Sequence, residues 1–303
     1  MANKAVSTVE NINRPKKKHS QKAARIWDAI WSNLLVFIIT LVWIIPVLWV
    51  VSRAFDAQET GYISKTFFPS VWTFQTGDPF VHFRELFTET DFPIWLRNTF
   101  IISVINTILT TLVTVLTAFI LSRFRFKTRK LIMNVALILG MFPGFMAMIA
   151  VYLILNMLGL INSIWSLLLF YVAGAGMGFF TCKGYFDTIG KEIDEAAKLD
   201  GASMLRIFFQ IFLPLAKPMI IYTALLAFMA PWGDYILAGI VLTSPENQTV
   251  AVGLYNWMDS NNINLYFYKF CAGCCIVAIP TVALYISLQR FFISGISAGA
   301  IKG

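Results

Sequence analysis

Six runs of apolar residues, at about 34–51, 99–121, 131–155, 164–180, 218–242 and 270–292, constrain this chain more than any other feature. A helix rises about 1.5 Å per residue, so about 20 residues cross the hydrocarbon core of a bilayer. Backbone groups in lipid find no water, so each run must satisfy its own hydrogen bonds as a helix. The expected fold is all-α: a polytopic membrane protein with six transmembrane helices. Composition agrees, with 58% apolar and 13% charged residues. A soluble domain carries about a quarter charged residues.

The net charge of +8 would suit nucleic acid if it were clustered for that purpose. It sits instead in short segments beside the apolar runs, which is an orientation signal. Residues 1–30 hold seven Lys and Arg, and Arg123, Arg125, Lys127, Arg129 and Lys130 follow the second run. The loop 181–217 adds Lys183, Lys191, Lys198, Arg206 and Lys217, and the tail adds Arg290 and Lys302. Only Arg53, Lys65, Arg84, Arg97 and Lys269 lie on the other side. Nineteen against five puts the N and C termini in the cytosol. The basic arm 1–30 reads as a solvated segment touching anionic lipid. The first apolar run reads as a span, not a cleaved leader, because Arg53-Ala54-Phe55 is a poor cleavage site.

This divides the chain into the arm 1–30, a six-span body 31–292 and a tail 293–303. The body has outer loops at 52–98 and 243–269 and a cytosolic loop at 181–217. The first outer loop, rich in aromatics, prolines and acids, is expected to form a small cap. Pro46, Pro143-Gly144, Pro231 and Pro280 mark kinks in a bundle that lines a path. Gly174, Gly176 and Gly178 lack the spacing and preceding strand of a nucleotide loop and suit close helix packing.

Catalytic chemistry is missing. The chain has no G-x-x-x-x-G-K-[ST], H-E-x-x-H or G-x-S-x-G, and only two histidines, His19 and His82. No catalytic or metal-binding residue is assigned. Cys271, Cys274 and Cys275 fall in an apolar run without His or carboxylate neighbours and read as small hydrophobic filler. Asp234 is the one carboxylate inside a run. It is a proton or cation site on one reading, and on the favoured one a structural acid bonded to backbone groups freed by Pro231.

Between the fourth and fifth runs lies a polar island, Glu195-Ala196-Ala197-Lys198-Leu199-Asp200-Gly201. Ile193, Ala196, Ala197 and Asp200 share helical spacing, and Gly201 can take the left-handed conformation that ends a helix. A second helix is expected from about Ala202 through Phe208-Phe209, stopping before Pro214. The small alanines would admit another surface, with Glu195 fixing register.

The pattern E-A-A-x3-G-x9-I-x-L-P, filled by Glu195, Ala196, Ala197, Gly201, Ile211, Leu213 and Pro214, resembles the signature of membrane subunits of binding-protein-dependent ABC importers. The end of the chain, from Gln289 to Gly303, and the segment 249–254 are similar to the six-span subunit of maltose/maltodextrin-type importers. The resemblance implies an ABC importer permease fold in the bacterial cytoplasmic membrane. It implies that the helix around 190–205 couples to a separate ATPase, where ATP and Mg would bind, with no cofactor on this chain. It implies that the tail, with Gly295, Ala298, Gly299, Lys302 and Gly303, contacts the ATPase. Leu254, Tyr255, Asn256, Trp257, Met258, Asp259, Asn261 and Asn262 would form a scoop loop reaching the binding protein. The implied partners are a second permease subunit in a heterodimer, two copies of the ATPase, an extracytoplasmic sugar-binding lipoprotein or periplasmic protein, and the lipid bilayer, with no nucleic acid. Maltodextrin is the expected substrate; other oligosaccharides and glycerol-phosphate-type substrates are the alternatives within the family. Gly190 stands where relatives often carry Pro, and the coupling helix is expected to fray there or start later. A proton-coupled transporter using Asp234 and a non-transport scaffold are the rival readings.

Overall fold

The computed structural model describes residues 18–57, 77–142 and 144–300. Side chains are described between Trp27 and Gln289, apart from 58–76, Pro143, Phe145, Gly176 and Met177. Among these residues the chain is helical, without strands. It divides into two units, Met1–Ser52 and Arg53–Gly303.

The first unit is the greater part of α1, Lys18–Ala54. Residues 18–30, expected as a solvated arm, are the start of this helix, and the rest of the arm lies outside the described residues. From Trp27 to Leu48, α1 is apolar nearly all round, the pattern of a helix surrounded by lipid or protein.

The second unit is built on α3, Phe92–Arg123. Before it comes α2, Val81–Thr88, the described part of the expected cap. After it come α4 (Arg129–Gly140), α5 (Gly144–Met157), α6 (Ile164–Asp187) and α7 (Lys191–Leu199). Next are α8 (Met204–Arg206), a π-helical segment Ile207–Phe212, α9 (Leu213–Leu215), α10 (Lys217–Gly233) and α11 (Ile236–Val241). A 3-10 turn at Pro245–Asn247, α12 (Val250–Trp257) and α13 (Ile263–Ala300) complete it. Four helices, α1, α3, α6 and α13, are long and apolar enough to cross a membrane among the described residues. The other two expected runs are interrupted: 131–155 is divided between α4 and α5, and 218–242 between α10 and α11.

α3 packs along α6 and α10, and local chemistry starts each helix. Pro93 and Pro218 stand in the first turns of α3 and α10, where a missing N–H costs nothing. The Ser163 hydroxyl caps α6 by accepting from the Trp165 amide. One aromatic core joins α3, α6 and the π segment through Phe119, Phe186, Phe208 and Phe212. A second joins Ile102, Leu167, Leu237 and Val252.

α3 is apolar yet buries Asn98, Thr99, Ser103, Asn106 and Thr114. Several of these serve irregular backbone elsewhere. The Asn98 amide donates to the carbonyls of Glu246 and Gln248 at 2.9 and 3.1 Å, and the Trp95 indole donates to Pro245 at 2.8 Å. The Thr99 hydroxyl accepts from the Val250 amide, starting α12. Deep in the bundle the Asn106 amide donates to the Ala227 carbonyl at 2.7 Å. That carbonyl is four residues before Pro231, which has no N–H to offer it. Asn106, and not Asp234, therefore completes the backbone that Pro231 interrupts. The Thr110 hydroxyl donates to Asn106 Oδ1 and fixes the amide's orientation.

This yields a double-mutant test. Asn106→Ala leaves the Ala227 carbonyl unsatisfied and should cost about 1–3 kcal/mol. With Pro231→Ala in the background, position 231 regains its own N–H and the Asn106→Ala penalty should shrink below half. Thermal unfolding of the four proteins in detergent measures both; an unchanged penalty would refute the pairing.

Candidate functional site

The polar island forms α7. Glu192 and Asp194 lie in its first turn and Lys198 in its last, the charge order the helix dipole favours. It starts at Lys191 directly after Gly190, whose φ of −56° and ψ of 137° already suit a helix entry, so the expected later start does not occur. Its end is a complete Schellman motif. Gly201, at φ +81°, donates to the Lys198 carbonyl, and Ala202 donates to Ala197 at 2.9 Å.

Two side chains of α7 are buried, Asp194 and Ala197. Ile193, Ala196 and Asp200, expected on one stripe with Ala197, face outward. The inward stripe is shifted in phase because Asp194 turns toward the buried Arg123 guanidinium, with Nε 2.6 Å from Oδ2. Glu195 is exposed, and Leu199 is 90% exposed. Leu205 and Phe209, also exposed, follow within three turns of chain. The segment 195–209 thus exposes a carboxylate and three large apolar side chains.

The second expected helix does not stop before Pro214. It runs from Met204 to Leu215, its middle wound as a π segment, and bends by 79° into α10. The wider winding lets the chain pass a proline that lacks a donor. Ile211 and Leu213 are half-buried and Pro214 is exposed. Phe212 between them is fully buried against Phe119 and Phe186, with ring centroids at 4.8 and 4.7 Å. The motif's spacing therefore frames Phe212, a residue the pattern itself leaves out.

At the opposite end of the second unit lie the residues expected in the scoop loop. Tyr255, Asn256, Asp259 and Asn261 are exposed, and Met258 and Asn262 half-buried. Leu254 and Trp257 point inward, at 7% and 6% exposure. Gly253 makes this possible: a Cβ there would sit 2.1 Å from the Trp95 ring. A cleft of about 580 Å³ lies beside the loop, lined by Trp95, Gln248, Asn256, Trp257, Asn262 and Tyr266. Asn162, at φ +63°, braces it by accepting from the amides of Thr243 and Ser244.

Between the ends lies a cavity of about 350 Å³, bounded by α3, α6 and α10. Asn106, Thr110, Thr114, Tyr171, Tyr222 and Thr223 give it a hydroxyl-rich wall. Gly174 and Gly178 line it too, and a Cβ on either would meet nothing within 4 Å. They therefore open space in this chain instead of packing helices closely, while Gly176 has no described side-chain surroundings. Asp234 has both oxygens engaged: Oδ2 accepts from the Tyr171 hydroxyl at 2.7 Å and Oδ1 from the Leu237 amide at 3.0 Å. It caps α11 and ties it to α6. Cys182 and Cys271 are buried free thiols, and Cys274 and Cys275 are half-buried. The tail's Gly295, Ala298 and Gly299 continue the backbone of α13 without a break; their side-chain surroundings, and Lys302 and Gly303, lie outside the described residues.

A bundle of broken apolar helices with a partly hydroxyl-lined pocket along it and one exposed helix at its end suits a membrane transport subunit. Residues 111–297 match the family described as binding-protein-dependent transport system inner membrane component, and the chain belongs to it. It is a component of the bacterial cytoplasmic membrane. It is 39% identical over 281 residues to a maltodextrin transport system permease protein of Bacillus subtilis (strain 168), covering 92% of this chain and 98% of that one. A galactooligosaccharides transport system permease protein of the same organism is 37% identical over 286 residues, with 93% and 98% covered. Among solved structures, a chain of a bacterial ABC transporter that imports the acidic polysaccharide alginate shares the fold, with a TM-score of 0.74 at 23% identity, over 92% of this chain and all of that one.

The Schellman cap gives a direct test. Gly201→Ala has room for its methyl but must hold a left-handed backbone, at a cost of about 1–2 kcal/mol. Gly201→Asn should lose less, since Asn tolerates that region. Thermal unfolding of the two variants should rank wild type above Asn above Ala.

Proposed function

We propose that this chain is the permease subunit of an ATP-driven importer, forming half of the pathway for an oligosaccharide delivered by an extracytoplasmic binding protein. Six segments cross the membrane and both termini are cytosolic, with α4–α5 and α10–α11 as the broken spans. A second permease subunit completes the pathway as a heterodimer partner. Two copies of an ATPase hold ATP and Mg and close on nucleotide, while this chain hydrolyses nothing. The tail 293–303 meets the ATPase, and the loop 254–262 meets the binding protein.

The observation that carries this reading is α7, a capped, rigid helix with Glu195 and Leu199 outward and little of its surface buried. A cleft in the ATPase would cover Leu199, Leu205 and Phe209 and pair with Glu195. ATP binding does work through its different affinity for the open and closed arrangements; α7 carries that difference to the bundle. The hydroxyl-rich cavity beside Gly174 and Gly178 is the part of the pathway this subunit supplies.

Maltodextrin is the proposed substrate, supported by the relatives named above; the galactooligosaccharide relative keeps the wider oligosaccharide class in view. The wild-type complex, reconstituted with its binding protein and ATPase in proteoliposomes, should import labelled maltotriose faster than a galactooligosaccharide of equal length. The reverse order would move the assignment. Leu199→Asp with Leu205→Asp should reduce ATPase co-purification by about tenfold, the effect of losing anchor residues from an interface. Gly201→Asp should abolish import while sugar binding to the external protein stays intact; retained ATP-driven uptake would count against coupling through α7.

A further inference from the structure

An arginine closing an apolar helix is ordinarily a solvated orientation charge. Arg123, the last residue of α3, is not: its side chain is 2% exposed and that of Asp194 is 7%. Charges withdrawn from water are tolerated only when tightly paired. Nε of Arg123 stands 2.6 Å from Asp194 Oδ2 in α7. Nη2 donates to the Ile189 carbonyl, just beyond α6, at 2.9 Å. The guanidinium lies 4.9 Å above the Phe212 ring in the π segment. Nη1 donates to the Ser122 hydroxyl, which itself donates to Asp187 at the end of α6 at 2.6 Å. One side chain therefore touches the ends of α3 and α6, the first turn of α7 and the last residue of the π segment.

The attachment of α7 depends on this contact. Only Asp194 and Ala197 of the helix are buried, and a methyl group offers little resistance to sliding or rotation. The ion pair joins one nitrogen to one oxygen, and separating its members strands a charge where water is scarce. We propose that Arg123 and Asp194 are positioning residues that form the joint through which displacement of α7 is transmitted to α3, α6 and the π segment. This rests on α7 being the helix the ATPase moves. Glu195 and the apolar patch hold the ATPase on the outside of α7; Arg123 and Asp194 hold the bundle on the inside.

The test uses the complete importer with binding protein, in proteoliposomes. Asp194→Asn keeps shape and removes the charge. The expected result is a fall of about tenfold in sugar imported per ATP hydrolysed, in the range of a coupling residue, with ATPase co-purification and hydrolysis within about twofold of wild type. Arg123→Met with Asp194→Leu replaces the pair by apolar groups of similar bulk, which preserves stability; import per ATP should stay low in this protein. Recovery there to the wild-type ratio overturns the joint, because packing alone would then suffice. So does an Asp194→Asn protein in which import and hydrolysis fall together with thermal stability, or in which neither changes. A second measurement needs no ATPase: hydrogen exchange of the purified chain, where Asp194→Asn should speed exchange of amides 191–199 and leave those of 217–233 unchanged. Unaltered exchange in α7 refutes the joint. Faster exchange beside a wild-type complex that imports without ATP would sink the ATPase reading while leaving the tether in place.

Discussion

Helices that break inside a membrane leave backbone groups that no water can satisfy, and the second unit depends on α3 to satisfy them. Its side chains serve the 3-10 turn at Pro245–Asn247, the first turn of α12 and the carbonyl freed by Pro231. At its last residue Arg123 reaches the Ile189 carbonyl beyond α6. A helix of pure leucine would pack as well but would leave these groups unpaired, at about 1–3 kcal/mol each. The polar residues along α3 are therefore what allow α10–α11 to be kinked at all.

Irregularity bought in this way has a use. Straight, fully bonded helices would fill the space that Gly174, Gly178, Tyr171 and Tyr222 leave as a cavity. The same break lets Asp234 cap α11 and join it to α6 through Tyr171. The polar interior is thus secured from both sides, by Asn106 on α3 and by Asp234 beyond the break. The ends differ in character. Around Gly253 and Trp95 the chain is closely packed against its own helices, whereas α7 is held by few groups and presents most of its surface outward.

Apolar run length located the helices, and the E-A-A pattern located α7, because both signals are local. What periodicity could not supply was rotation. The stripe Ile193–Ala196–Ala197–Asp200 fits helical spacing as well as the observed inward pair Asp194–Ala197, and the choice was made by Arg123, seventy-one residues earlier in the chain. A carboxylate in line with a buried alanine was the one available signal, and an apolar scale reads it as surface. The π segment was missed for a related reason: Pro214 stops an α-helix by removing a donor, yet a wider turn passes it. The structural reading of Asp234 is legible in the sequence, but its partner Tyr171 is not, nor is Asn106 as the partner of Ala227, since these residues meet only in three dimensions. Leu254 and Trp257 are contiguous with a surface loop in the sequence, while helical winding sends them inward.

The π segment Ile207–Phe212 also makes this stretch of chain a gauge of length. Its carbonyls reach five residues onward where an α-helix reaches four. A residue gained or lost in the ordinary helical turns beside it would turn everything before it by about 100°, carrying α7 out of phase with α10. Substitutions on the surface of this stretch leave that phase alone. A single insertion or deletion does not, however conservative its chemistry, so the segment should drift in composition far more readily than in size.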